Sequence, residues 1–329
     1  GDAIVLTNTG SGNYRLIRFR PDGAEDPQFN SPQFSSTSFI VQPDDKVLIK
    51  RLRLNSDGSV DATYQPGPLV AKPLAVQKDG RILVASSVVA GSSYLKLSRL
   101  NADGSEDPSF NGPTLNTTII DHVEVLPDGE LIVCAPTVMK LTSTGAVVGA
   151  FQSSLKGEST IVQPDGKIIV IAPYEGNSSD RNFRRINPDG SIDATFTTFT
   201  DGYVNTAALQ SDGKIVIGGT FQSVNGIQRY RVARLLQDGQ LDPSFRCDVD
   251  GTVESIVPAE DQTMLVGGQI TRVNGIPANN VIRVQGGASE SVLELIGQDL
   301  QWRCSGASPE LLAVRVVVLH QGEAAWTSL

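Results

Sequence analysis

Arg234-Leu-Leu-Gln-Asp-Gly-Gln-Leu-Asp242-Pro-Ser-Phe245 decides how this chain folds, because the chain writes it again and again. Reduced to its fixed parts the stretch reads Arg-x3-Asp-Gly-x2-Asp-x2-Phe. The frame fits Arg18/Asp22-Gly23/Asp26/Phe29, Arg53/Asp57-Gly58/Asp61/Tyr64, Arg99/Asp103-Gly104/Asp107/Phe110 and Arg185/Asp189-Gly190/Asp193/Phe196 without an insertion or deletion. A worn copy runs Lys140/Thr144-Gly145/Val148/Phe151, and a last one begins at Arg283 and breaks off. Self-similarity at a fixed period marks a repeat architecture and outranks any reading of single residues.

A second phrase lies between copies of the first. It is apolar-x-apolar-Gln-Pro-Asp-Gly-Lys followed by Ile-apolar-Val-x-Gly, clearest from Leu209 to Gly219, and its turns carry Asp44, Asp79, Asp128, Asp165, Asp212 and, in degenerate form, Asp261. Asp-Gly between alternating apolar residues signals a hairpin, because glycine accepts the positive φ of a tight turn. Each repeat then offers four short strands. Strand a ends at the Gln-Pro-Asp-Gly turn, b is Lys-Ile-x-Val, c carries the arginine, and d carries Asp-x2-Phe. No stretch keeps a helical period. Four-stranded antiparallel repeats that cannot bury both faces alone predict an all-β chain, a seven-bladed β-propeller spanning residues 1–287. The first repeat lacks its strand a, to be supplied from upstream of Gly1 or by Ser291–Ile296. From about Ala288 the repeat language stops, and 288–329 reads as a short β module cut off before its end.

The repeated letters have structural work to do. The aromatic that ends each d segment (Phe110, Phe196, Phe245 and their equivalents) should plug between neighbouring blades, each contributing about 2 kcal/mol of burial. Arg53 and Asp61, Arg99 and Asp107, Arg185 and Asp193, and Arg234 and Asp242 flank a turn that sets them opposite each other as charge-assisted pairs. The worn copy loses both members at once, at Lys140 and Val148. Function should lie where the repeats differ. From the turn Asp to the next Arg or Lys the spacing is 9 residues after Asp44, 12 after Asp128, 20 after Asp79 and Asp165, and 22 after Asp212 and Asp261. The long b–c connections, Ser86–Tyr94, Ala172–Asn182, Gly219–Tyr230 and Gly268–Asn279, carry Tyr94, Tyr174, Arg181, Phe221, Arg229, Tyr230 and Arg272, the candidate binding residues.

The totals narrow the partners. Against 27 Lys and Arg stand 36 Asp and Glu, a net charge of −9, with no basic cluster, which argues against nucleic acid. No apolar run approaches the roughly 20 residues that cross a bilayer. A first residue other than Met and an end inside a strand-like run suggest a segment of a longer chain with flanking domains. Cys134, Cys247 and Cys304 are too few and too scattered for a zinc site or a disulfide framework, although Cys247 and Cys304 could pair.

The two alternating phrases resemble the bacterial delta-60 repeat family over roughly residues 1–286. The fullest match is Gly218-Gly-Thr-Phe-Gln-Ser-Val-Asn-Gly226 running into Ala233-Arg-Leu, echoed by Gly267-Gly-Gln-Ile-Thr-Arg-Val-Asn-Gly275. The resemblance implies a propeller-like fold in large secreted or surface-attached bacterial proteins, a family without established catalytic residues. Gly-Gly after strand b is similar, more weakly, to kelch repeats. The tail from Trp302 to Leu329 is similar to the start of a β module that follows such repeats.

Calcium is the one cofactor with letters in its favour, at Asn55-Ser-Asp57-Gly-Ser-Val-Asp61 and Asn187-Pro-Asp189-Gly-Ser-Ile-Asp193. In a calcium loop two ligand positions would then fall on Arg53 or Arg185 and on Tyr64 or Phe196, where a cage needs carboxylates. Asx turns account for the same letters, so no cofactor is expected. The acidic cluster Asp248-Val-Asp250-Gly251 reads as an inter-repeat turn. His122 and His320 sit near no nucleophile motif, and no carboxylate pair stands out from the repeat as a glycosidase pair would. The expectation is a module that is not an enzyme and binds a protein or a glycan through its b–c face. A spacer without a ligand and a polysaccharide-active enzyme are the alternatives.

Overall fold

The computed structural model of the chain describes residues 3–20, 24–36, 39–67, 71–87, 94–172, 183–258 and 263–285, and the backbone of 290–296, 299–305, 317–318 and 327–328. Among these residues there is no helix. The chain divides into two compact units, Gly1–Thr197 and Thr198–Leu329.

The first unit contains β1 (Ala3–Gly10), β2 (Asn13–Phe19), β3 (Ile40–Val41), β4 (Val47–Ile49), β5 (Leu52–Leu54), β6 (Ala71–Val76), β7 (Ile82–Ser87), β8 (Tyr94–Leu100), β9 (Thr114–Asn116), β10 (His122–Val125), β11 (Leu131–Cys134), β12 (Val138–Leu141), β13 (Ser159–Val162), β14 (Ile168–Ile171) and β15 (Phe183–Ile186). They pair in sequence order as antiparallel sheets: β1-β2, β3-β4-β5, β6-β7-β8-β9, β10-β11-β12 and β13-β14-β15. The second unit contains β16 (Val204–Leu209), β17 (Ile215–Gly219), β18 (Ser223–Val224), β19 (Ile227–Gln228), β20 (Val232–Leu235), β21 (Val253–Pro258), β22 (Thr263–Gly268), β23 (Arg272–Val273), β24 (Ile276–Pro277), β25 (Val281–Gln285), β26 (Glu290–Ile296), β27 (Asp299–Ser305), β28 (Val317–Val318) and β29 (Thr327–Ser328). Here β16-β17-β20 and β21-β22-β25 are sheets, and β18-β19, β23-β24, β26-β27 and β28-β29 are two-stranded hairpins.

The b strands hold the core. β4, β11 and β14 are buried at every residue. A strand faces both ways, so its alternate residues join different clusters. Leu131 and Val133 pack with Leu83, Leu97 and Phe110 of the preceding repeat, while Ile132 and Cys134 pack with Ile168, Val170 and Ile186 of the following one. This is why the b phrase reads as an uninterrupted apolar run rather than an alternating one.

Strand d is where the structure departs from the expected four strands. Most sheets are three-stranded, and the d segment touches its sheet through one bridge per repeat: Phe19 with Glu25, Leu54 with Val60, Leu100 with Glu106, Leu141 with Val147, Ile186 with Ile192, and Leu235 with Leu241. The aspartate that follows ends the pairing. In the second repeat Asp61 accepts the Thr63 amide (2.9 Å) and hydroxyl (2.6 Å) on Oδ1, which turns the chain within two residues. The aromatic then swings down: Tyr64 packs with Leu48, Ile82, Val84 and Leu100, and Phe110 with Leu83, Leu131 and Leu141. In the four-stranded sheet the fourth strand is β9, which comes after the aromatic and pairs with the other end of β8.

Successive repeats are fastened by backbone. After the first four aromatics the next residue donates its N–H to the turn of the following repeat: Asn30 to Asp57 O (2.9 Å), Gln65 to Asp103 O (2.9 Å), Asn111 to Thr144 O (2.9 Å) and Gln152 to Asp189 O (2.8 Å).

Candidate functional site

The repeated charges form the same cluster in each full repeat, and each cluster consumes its own members. Arg53 Nε donates to Asp61 Oδ2 (2.8 Å), Arg99 to Asp107 (2.7 Å), Arg185 to Asp193 (2.8 Å) and Arg234 to Asp242 (2.9 Å). Each guanidinium also stacks on the aromatic of its own copy, from 4.6 Å for Arg185 over Phe196 to 4.8 Å for Arg234 over Phe245. A second cation arrives from the other phrase. Lys46 reaches Asp61 (3.0 Å), Lys167 reaches Asp193 (3.0 Å), Lys214 reaches Asp242 (3.3 Å) and Arg81 reaches Asp107 (3.3 Å).

The Ser109 hydroxyl, with Arg99, holds the Asp107 carboxyl at about 2. Asp242 is also held at about 2, where burial pushes up but the Ser244 hydroxyl and amide, Arg234 and Lys214 outweigh it. Asp61, chiefly through Thr63, and Asp193, through Thr195 and Lys167 against burial, lie well below the ordinary carboxylate range. Buried pairs satisfied this fully serve architecture, and the sequence frame missed the Ser or Thr that completes them.

The worn copy is an inversion of this network. Glu130 stands where Lys46 and Lys167 stand, Lys140 replaces the arginine, and the two pair at 2.5 Å beside Val148. The acid has moved from the d segment to strand b, and the pairing survives. The calcium-like letters are likewise occupied: Asp57 Oδ1 accepts the Ser59 amide (2.9 Å) and hydroxyl (2.6 Å), and Asn55 donates to Ser59 (3.0 Å). Among the described residues no group of three or more His, Cys, Asp or Glu is placed to hold a metal ion.

His122 begins β10, 3.4 Å from Glu124; His320 lies outside the described residues. Cys134 and Cys247 are free, buried thiols, each pushed up to about 12 by burial.

The candidate loop residues separate sharply. Tyr94 is exposed at the start of β8, and Tyr174 and Arg181 lie outside the described residues. Phe221 was expected to be displayed and instead is 0% exposed, and Arg229 is 8% exposed. The reason is that two of the long b–c connections are folded hairpins rather than loose loops. Asp201 Oδ1 accepts the Gln222 (2.7 Å) and Ser223 (2.8 Å) amides, and Asp250 Oδ1 accepts those of Thr271 (2.9 Å) and Arg272 (2.8 Å), pinning each hairpin to the link ahead of its own sheet. Apolar residues at matching places, Phe221 and Ile270, Val224 and Val273, turn inward.

Tyr230 and Arg272 do come together. They line a cleft of about 730 Å³ in the second unit with Arg231, Arg246, Asp248, Val249, Asp250, Asn274 and Gly275. Aligning the two hairpins and the links that pin them shows where this cleft comes from. Arg246 occupies the place of Thr197, Asp248 that of Phe199, Arg272 that of Ser223, and Arg231 that of Asn280. Departures from the repeat collect here.

Asp248 pairs with Arg246 (2.7 Å) and accepts the Tyr230 amide (3.1 Å). Asp250, with Thr271 as the first cause, is held at about 2. Arg231 donates to Val249 O (3.1 Å), Arg272 to Gly275 O (3.1 Å), and the Tyr230 hydroxyl meets Gln228. Arg231 has φ +64°, a left-handed conformation uncommon for a long side chain. Sequence reading missed Arg231 and Arg246 because it took the loops singly.

The repeats match the family model described as "Domain of unknown function (DUF5122) beta-propeller" over residues 77–110, 163–196 and 210–245. Each match runs from the Gln of the second phrase to the aromatic of the first. Among solved structures the chain is similar to a mutant puromycin hydrolase complexed with PGG, at 14% identity and a TM-score of 0.50, covering 86% of this chain and 50% of that one. The chain thus spans about half the length of that hydrolase. It is also similar to BamB from Moraxella catarrhalis (15% identity, TM-score 0.43, 86% of this chain and 78% of that one). YCF48 bound to D1 peptide gives 12% identity and a TM-score of 0.44, covering 80% of this chain and 77% of that one. No curated protein matches the sequence. Together with the all-β sheets, the family match and the hydrolase likeness support a β-propeller fold; fold alone assigns no chemistry.

Proposed function

We propose that this chain is a non-catalytic interaction or scaffold module that binds a protein or a glycan through the face carrying its b–c connections. Its seven repeats, of delta-60 type, would form seven blades within a large secreted or surface-attached bacterial protein. One observation carries this reading: residues that depart from the repeat (Arg231, Arg246, Asp248, Arg272) gather with Tyr230 in one cleft, lined by the segment after the first hairpin, the link after Phe245 and the second hairpin. A half-buried tyrosine beside exposed arginines on a rigid support is the combination from which binding sites are made. The acids of the cleft support a non-catalytic reading, since Asp248 and Asp250 both hold backbone amides of the hairpins. A general acid or base must instead be free to meet a substrate proton.

The test is a glycan array and a pull-down with the chain and its Tyr230→Ala and Arg272→Ala variants. A specific ligand lost in both variants supports binding. No ligand in any condition returns the module to the role of a spacer. Turnover of a screened polysaccharide, abolished by Asp248→Asn alone, would make it an enzyme.

A further inference from the structure

The charges of the cleft deepen the reading above and rest on it: we propose that the cleft binds a carboxylate-bearing saccharide, a uronic acid unit, through Arg231 and Arg272. Three guanidinium groups line the cleft, and one of them, on Arg246, is matched by Asp248 at 2.7 Å. The bonds that orient the other two run to neutral carbonyl oxygens, Val249 O and Gly275 O, each through Nη1. Such bonds fix the plane of a guanidinium and leave its charge unneutralised. A planar fork held in this way suits the two oxygens of a carboxylate.

Arg231 supplies an independent sign. Its φ is +64°, and the matching residue of the next hairpin is Asn280, at φ +47°. Asparagine tolerates this backbone better than arginine does, so the chain carries a strained backbone at the wall of its cleft.

The rest of the lining decides between acidic partners. Beside the arginines stand Asp248, Asp250 and Asn274, with the Tyr230 ring next to them. A sugar acid offers a carboxylate to the guanidinium groups, hydroxyls to the acceptor oxygens, and a ring face to the tyrosine. An acidic peptide offers a row of carboxylates, some of which would lie against Asp248 and Asp250. The volume, about 730 Å³, falls within the range of about 300–1,000 Å³ for small-ligand sites, room for a short oligosaccharide.

Calorimetric titration of the 329-residue chain with trigalacturonate, its methyl ester and a hexaglutamate peptide tests the assignment. Trigalacturonate should bind, and the neutral ester should bind roughly tenfold more weakly or not at all. Arg272→Gln and Arg231→Asn should each raise Kd roughly tenfold. Arg231→Asn should keep or raise the melting temperature, because asparagine suits the backbone at this position, so its loss of binding would not come from unfolding.

Equal binding of the ester, unchanged Kd in both arginine variants, or preference for hexaglutamate each overturns the saccharide assignment. So does a failure of trigalacturonate to bind. The broader reading then stands or falls separately, on whether the array yields a ligand that depends on Tyr230.

Discussion

Four repeats bend through glycine twice, once between strands a and b and once after strand c, and the two bends answer to different neighbours. At the a–b bend the glycine is there for its backbone: Gly166 has φ +81°, and a Cβ added to it would come no closer than 3.4 Å to Pro188. At the second bend Gly190 has φ +89°, and its Cβ would lie 2.8 Å from the backbone of Gln152 in the preceding repeat. Gly58 meets Asn30 in the same way, and Gly145 meets Gly112, both at 2.8 Å. The chain itself has run the corresponding substitution at the permissive bend. Asp45 occupies the a–b glycine position at φ +61° and is exposed. The worn copy, which has given up its arginine and its aspartate, still has Gly145. The charges of this fold can thus be exchanged for another pair, whereas the glycine at the crowded bend is kept.

Removing a charge partner should give the largest effect, and it measures how far charge can be exchanged. Asp193→Val leaves Arg185 and Lys167 around an uncompensated site and should cost about 3–5 kcal/mol in denaturant unfolding. Adding Lys167→Glu and Arg185→Lys rebuilds the Glu130–Lys140 arrangement and should recover at least half of that loss. No recovery would mean that the worn repeat depends on something besides its inverted pair.

Next come the glycines. Gly190→Ala should cost about 3 kcal/mol, combining left-handed strain with displacement of the Gln152 backbone. Gly166→Ala should cost about 1 kcal/mol from strain alone. Equal shifts in the two denaturation midpoints would erase the distinction drawn above.

Acid should weaken the network with a definite sign. Asp107 and Asp242 are held at about 2, and Asp61 and Asp193 are lowered as well, so the unfolded chain takes up protons that the folded chain refuses. The stability they contribute is complete above about pH 4 and drains away as pH falls toward 2. Midpoints measured from pH 5 to pH 2 should fall, and Asp107→Asn should flatten the slope. The smallest change is Asp45→Gly, which relieves strain at the permissive bend and should gain about 0.5–1 kcal/mol.

The repeats were open to reading because their period is regular, and the Arg–Asp pairs because eight residues around one turn set them face to face. Strand d was overread. Val60, Ile192 and Leu241 look like strand residues, but the aspartate after each captures the chain in a turn after a single bridge. The reach of Lys46 and Lys167 to the aspartates of the other phrase was hidden, since sequence spacing does not show which turns share an end of a sheet.

In the candidate site Tyr230 and Arg272 were visible as polar exceptions on long connections. Phe221 was misjudged when read by itself. Set against Ile270, its counterpart in the next hairpin, it is an apolar position in both copies and belongs in the core. The same comparison exposes Arg231 against Asn280 and Arg246 against Thr197, the two cleft residues that loop length could not reveal.

The backbone links from Asn30 to Asp57, Gln65 to Asp103, Asn111 to Thr144 and Gln152 to Asp189 all run forward, from an earlier repeat to a later one. During synthesis a finished repeat therefore waits with its amide and its aromatic unseated until the ribosome has delivered the following turn. At each of these four links assembly trails translation by one repeat, and a ribosome that stops early leaves an apolar wedge at the growing end.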